Sequence, residues 1–108
     1  MVIAARLQQK PNFVMTGMPV PVYLTAAKYP RDALRKGLEG YVDVRFDITK
    51  MGATDNISVL AADPQGYFER SAIDAVTSWR YQPQMVDGDP ARFEGMSKRI
   101  KFVMSQEK

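Results

Sequence analysis

Residues 41–48 alternate without a break: Val42, Val44, Phe46 and Ile48 fall on one side of an extended chain, and Tyr41, Asp43, Arg45 and Asp47 on the other. Side chains of a strand point to opposite faces with a period of two, so this stretch specifies a strand with one face in a core and the other in water. A half-buried strand of this kind belongs to an antiparallel-type sheet with one covered face. The rest of the chain must supply its neighbours and the layer that covers it.

The neighbours follow downstream. Residues 49–52, ending in Gly52, form a tight turn, with the glycine free to take positive φ. A second strand is expected at about residues 53–60, with Ile57 and Val59 inward. Asp63, Pro64 and Gly66 break it. Phe68, Ala72, Ala75, Val76 and Trp79 then recur at helical spacing, one apolar face of a helix running to about Arg80 and carrying an Arg70–Asp74 pair on its wet face. Pro83 ends it, and residues 87–90 read as a loop. A last strand runs from Phe93 to Met104, with Ile100, Phe102 and Met104 inward, Arg99, Lys101 and Val103 outward, and Gly95 marking a bulge.

Upstream, Tyr29-Pro30 opens a short helix, with the proline in the first helical position. Asp32 in its first turn and Arg35 and Lys36 in its last suit the helix dipole, and Gly37 terminates it. Residues 1–28 keep no period and are punctuated by Pro11, Gly17, Pro19 and Pro21. They read as an extended lead-in, with a short strand at Val20–Thr25 and partial disorder over residues 1–15. The domain proper is residues 29–104, followed by a tail at 105–108.

Topology follows from the second helix. About 15 residues of helix span about 22 Å and carry the chain back along the sheet. The third strand then runs parallel to the second and antiparallel to the first, and a right-handed crossover gives the order 2-1-3. The expected fold is α+β: a three-stranded antiparallel-type sheet with two helices packed on one face. Its third strand lies at an edge.

Composition narrows the function. The 108 residues make one domain, with 45% hydrophobic and 25% charged residues, as in an ordinary globule. There is no Cys and no His, which removes disulfides, thiolate chemistry, the commonest general base and the commonest metal ligand. Asp43 and Asp47 stand four strand residues apart, about 13 Å, beyond the roughly 5 to 9.5 Å that paired glycosidase carboxyls need. They read as a solvated face with Arg45 between them. Ser71, Ser78 and Ser97 have no histidine to activate them, and residues 37–40 form a bend into a strand, not a phosphate loop. The net charge of +3 is dispersed, and Asp43 and Asp47 share the outward face on which Tyr41 would stack bases in an RNA-binding sheet, where they would repel phosphate. The reading is a protein-binding module: not an enzyme, without cofactor or metal, and without nucleic acid as partner.

An ordered set of residues resembles the TonB C-terminal domain family over about residues 22–104. The set is Tyr29-Pro30, Ala33, Gly37-Leu38-Glu39-Gly40, the alternating Val42 to Ile48, Gly52, Asn56, Phe68-Glu69, Ala72, Ala75, Trp79-Arg80-Tyr81 with Pro83, and residues 87–90 before the terminal strand. Most of these are scaffold: Trp79 is core, Tyr81 caps that core with its hydroxyl at the rim, and Gly40 and Gly52 are backbone requirements.

The resemblance implies a domain on the periplasmic side of the inner membrane of a Gram-negative bacterium. It would couple the proton-motive force, through ExbB and ExbD, to outer-membrane TonB-dependent receptors of the kind that take up siderophores. The rest of such a transducer, including an N-terminal membrane anchor, is expected outside this chain. Receptors present an extended segment, the TonB box, and strand addition is the physical mode. The expected contact is the edge strand, Ser97, Lys98, Arg99, Ile100, Lys101, Phe102 and Val103, with a weaker contribution from Tyr29, Arg31 and Arg35. Charges at Arg99 and Lys101 also serve to keep an open edge from aggregating. The alternatives are a TolA-like envelope-tethering module and a structural domain whose edge forms a homodimer.

Overall fold

The computed structural model describes residues 2–8 and 18–105. Its elements in chain order are β1 (Val2–Gln8), β2 (Pro21–Tyr23), α1 (Arg31–Arg35), β3 (Gly40–Ile48), β4 (Thr54–Asp63), α2 (Glu69–Ser78), β5 (Arg80–Tyr81), β6 (Gln84–Val86), β7 (Asp89–Ala91) and β8 (Phe93–Ser105). The alternating stretch is β3, and it lies inside the main sheet, paired antiparallel to β4 on one side and β8 on the other. The order β4-β3-β8 is the expected 2-1-3 arrangement, so β4 and β8 run parallel to each other.

Val42, Val44, Phe46 and Ile48 are all fully buried, as the alternation requires. The layer over them comes from α2, through Ala72, Ala75 and Val76, and from the aromatics around it. Phe46 meets Trp79 edge-on at 5.8 Å between ring centroids. Phe68 stacks on Phe102 at 4.4 Å, and Tyr29 stands edge-on to both. Edge-to-face and offset contacts of this kind add about 0.5–1.5 kcal/mol each beyond the area they bury.

Several expectations are corrected. A fourth strand extends the sheet: β1 pairs antiparallel with β8 from Val2↔Ser105 to Gln8↔Arg99. Residues 2–8 thus form a strand of the sheet, while residues 1 and 9–15 of the stretch expected to be partly disordered, and residues 106–108 of the tail, lie outside the described residues. Helix α2 has ten residues, about 15 Å, because Trp79 turns extended at φ −68°, ψ 150°. That turn sends the indole into the core and frees Arg80–Tyr81 to pair with β2. The amide of Gly66 donates to both carboxylate oxygens of Glu69 at 2.9 and 3.0 Å, closing the approach to α2. The expected loop at 87–90 is a hairpin: Asp87 and Gly88 both take positive φ, 53° and 84°, joining β6 to β7. Two consecutive left-handed residues are the turn that matches the twist of paired strands, and Asp-Gly is its favoured sequence.

Two side chains also depart from expectation. Asp47, read as solvated, is 3% exposed. Asn56 Nδ2, Arg92 Nη2 and the Gly95 amide donate to its carboxylate at 2.9–3.0 Å. Asn56 reaches it from a left-handed conformation, φ 50°, which Asn tolerates better than most residues. These hydrogen bonds, Asn56 foremost, push the Asp47 carboxyl down to about 2. Tyr81, read as a rim residue, is 3% exposed, and its hydroxyl has no partner among the described residues. Burial pushes that phenol up to about 12.

Candidate partner-binding strand

β8 carries all seven residues expected to contact a partner, Ser97 to Val103. Ile100 and Phe102 are buried with Met96 against the helical layer, while Ser97, Arg99 and Lys101 are exposed on the opposite face. Lys98 and Val103 are half-buried. The buried Ile100 and Phe102 and the exposed Arg99 and Lys101 are thus as the alternation set them, while Met104, expected inward, and Val103, expected outward, are both half-buried. The position of the strand is not as expected: β8 is flanked on both sides, by β3 and by β1, so the open edge expected at residues 96–104 is covered. Among the described strands of the main sheet, β1 and β4 each keep one side unpaired.

One contact fixes which way the amides of β8 point. The Met104 amide donates to Glu39 Oε2 at 2.6 Å. Glu39 immediately precedes β3, so this amide faces the β3 side. Successive amides of a strand alternate in direction. Those of Phe102, Ile100 and Lys98 therefore also serve the β3 ladder, and those of Val103, Lys101, Arg99 and Ser97 point the other way. These outward amides are the ones an added strand can use, and Ala4, Arg6 and Gln8 stand opposite Val103, Lys101 and Arg99.

The charges along the outer face are unequal. Arg99 donates to both carboxylate oxygens of Asp43 at 2.7 and 3.0 Å and lies over the Tyr41 ring, 3.9 Å from its centroid. The hydrogen bond from Arg99 holds the Asp43 carboxyl below the usual carboxylate range, and Asp43 raises Arg99 in turn. Its charge is thus already compensated. Lys101 is exposed and has no ion-pair partner among the described residues.

The three weaker candidates sit elsewhere. Tyr29 is half-buried, packed on Phe68 and Phe102, and its hydroxyl donates to the Leu38 carbonyl. Arg35 is exposed and paired with Asp32 across one turn of α1. Arg31 is exposed. The structure does not bring these residues together with the outer face of β8. Sequence reasoning missed Glu39, Asp43 and β1 as determinants of this strand. Asp43 becomes visible only once the β3–β8 register sets it opposite Arg99. Glu39 carries no sequence signal for its bond to Met104. Among the described residues, no group of His, Cys, Asp or Glu could hold a metal ion.

Comparison with known proteins places this architecture. Residues 25–104 match the family model described as Gram-negative bacterial TonB protein C-terminal. Protein TonB of Klebsiella pneumoniae is 34% identical over 96 residues, 89% of this chain and 37% of that protein. Protein TonB of Escherichia coli K12 is 43% identical over 56 residues, 52% of this chain and 23% of that protein. The chain thus spans well under half the length of these relatives. Among solved structures, the TonB C-terminal domain of Pseudomonas aeruginosa in solution superposes with a TM-score of 0.70 at 31% identity, covering 83% of this chain and 90% of that one. The TonB2 protein of Vibrio anguillarum superposes with a TM-score of 0.62 at 33% identity, covering 92% and 93%. With the family model matched over most of the chain and two solved relatives superposing on its fold, the chain belongs to the TonB C-terminal domain family.

Proposed function

We propose that this chain is the receptor-binding domain of a TonB-type energy transducer, and that it takes the TonB box of an outer-membrane receptor as an added strand along β8. The single observation that supports this reading is β1. A segment remote in sequence lies along the outer side of β8 in an unbroken seven-residue register. That side of β8 is therefore competent to accept an extended chain, through the outward amides and carbonyls of Arg99, Lys101 and Val103.

Backbone bonds contribute about 0.5–1.5 kcal/mol net each. A handful of them, less the cost of ordering a flexible peptide, gives affinity on the order of micromolar. Recognition through backbone atoms suits a domain that serves several receptors, with Lys101 favouring segments that carry acidic residues. Arg31 on α1 is a secondary contact at most. The remainder of the transducer would supply the inner-membrane anchor and the contacts to ExbB and ExbD, and the domain would work in the periplasm.

The test is an amide-shift titration with a synthetic TonB-box peptide. Shifts centred on Arg99, Lys101 and Val103 are expected. Shifts confined to the wet face of α2 around Arg70 and Asp74, with β8 silent, would overturn strand addition even if the peptide bound.

A further inference from the structure

We infer that β1 is a built-in competitor for the receptor segment: it holds the same edge of β8 through the same backbone atoms and must leave before a receptor strand can dock. The inference rests on the receptor-binding reading above and adds a regulatory step to it.

The geometry is specific. Ala4, Arg6 and Gln8 face Val103, Lys101 and Arg99, three of the residues whose amides point away from β3. In an antiparallel ladder such facing residues exchange both of their backbone bonds. An incoming strand, parallel or antiparallel, needs those donors and acceptors, and each can be used once. Among the described elements, β8 is also the one β1 packs against extensively. Its release therefore exposes an edge without dismantling the core beneath α2.

Tethering makes the competition strong. A segment held on the same chain acts at an effective concentration in the millimolar range for a short linker. A receptor segment then binds only the fraction of molecules whose edge is open, and its apparent Kd is the intrinsic Kd divided by that fraction. An edge open one-tenth of the time weakens apparent binding about tenfold. The same cover protects an otherwise unpaired strand edge from pairing with other chains.

Two variants of the full chain test this. In Ala4→Pro/Arg6→Pro, two of the amides that β1 turns toward β8 are removed. Hydrogen exchange at Arg99, Lys101 and Val103 should accelerate at least tenfold, while Ile100 and Phe102, bonded to β3, keep their protection. A synthetic TonB-box peptide should bind this variant about five- to tenfold more tightly than the native chain. A peptide of residues 1–9 added in trans should reduce that gain.

In Ile3→Cys/Met104→Cys, a disulfide joins two residues that face each other across β1 and β8, and the chain has no other cysteine. The oxidised protein should lose TonB-box binding at β8, and reduction should restore it. Equal peptide affinity in the native chain, the proline variant and the oxidised protein, with β8 responding in each, would refute self-competition and leave the receptor reading standing. No response of β8 to the TonB-box peptide in any of the proteins refutes the receptor reading. Exchange rates at Arg99, Lys101 and Val103 then still report whether β1 covers the edge.

Discussion

The indole N–H of Trp79 donates to the carbonyl oxygen of Thr25 at 2.9 Å, tying the end of α2 to a residue 54 positions earlier in the chain. The bond sits over the core that Trp79 and Phe46 form, and it holds the segment leading into α1 against the helix. Ser78 and Thr25 add a hydroxyl contact beside it at 2.6 Å.

Replacing the indole separates packing from this bond. Trp79→Phe keeps much of the bulk but removes the donor and leaves some space. It should cost on the order of 1–2 kcal/mol for the bond, plus a smaller packing loss. Trp79→Ala should cost about 3–5 kcal/mol, enough to unfold a domain of marginal stability. Chemical denaturation with far-UV circular dichroism reads both. A Trp79→Ala protein that melts cooperatively near the native midpoint would refute the placement of the indole.

Gly52 and Gly40 are fixed by their surroundings. Gly52 has φ 88°, and a Cβ there would land on the Tyr81 carbonyl, which also lies near its backbone bond from the Tyr81 amide. At Gly40 a Cβ would collide with the Asp63 carbonyl and come within 2.8 Å of Pro64 Cδ. Alanine at either position should destabilise by more than about 1 kcal/mol, with Gly52→Ala the worse because strain and collision coincide. Comparing the two denaturation midpoints with that of the native protein checks the order.

Asp47 makes stability depend on pH in a defined window. Its folded-state carboxyl is pushed down to about 2, below its ordinary value near 4. The stabilisation is therefore complete above about pH 4 and is lost as pH falls through about 2. Asp47→Asn should melt several degrees lower at pH 5–7, and the gap between the two proteins should close below pH 4. Melting curves across that range decide it; a gap constant down to pH 2 contradicts the assignment.

Tyr81→Phe is expected to be neutral or mildly stabilising, by up to about 1 kcal/mol. The buried hydroxyl gains no hydrogen bond among the described residues, so folding only takes it out of water. The ring keeps its contact with Phe46 at 5.8 Å. A loss above about 1 kcal/mol in thermal denaturation would show that the hydroxyl has a partner in solution.

Lys101→Glu should weaken an acidic TonB-box peptide on the order of 1 kcal/mol, about fivefold, and less at high salt. Arg99→Ala should change that affinity less, because Asp43 already neutralises the guanidinium. Its loss should appear instead as lower stability. Calorimetric titration at two salt concentrations measures both effects.

β3, its turn and the inward set of β8 were legible because alternation is a local signal that burial on one face enforces. Asp47 was misjudged by the same logic. Alternation sends it outward, but the register of β3 shifts against both neighbours between residues 45 and 48, and Arg92 and Asn56 close over it. α2 was read too long because Trp79 continues the apolar spacing after its backbone has turned extended. The Asp87-Gly88 turn was present in the sequence, but its flanks are short and carry no alternation. β1 left no signal: its residues Val2, Ile3, Ala4, Ala5, Arg6, Leu7 and Gln8 have no period of two. The covering of β8 could therefore not be foreseen, although β8 itself could.

The strands of the main sheet join at increasing distances along the chain. β3 and β4 are linked by a short turn, β8 returns to β3 only after α2, and β1 meets β8 with Val2 opposite Ser105. Loop closure costs more as the closed segment lengthens, and long-range pairings form late. Refolding should therefore assemble β4-β3-β8 under α2 before β1 docks. In stopped-flow experiments Trp79 fluorescence should report the first event, and protection of the Lys101 amide, followed by pulse-labelled exchange, the second.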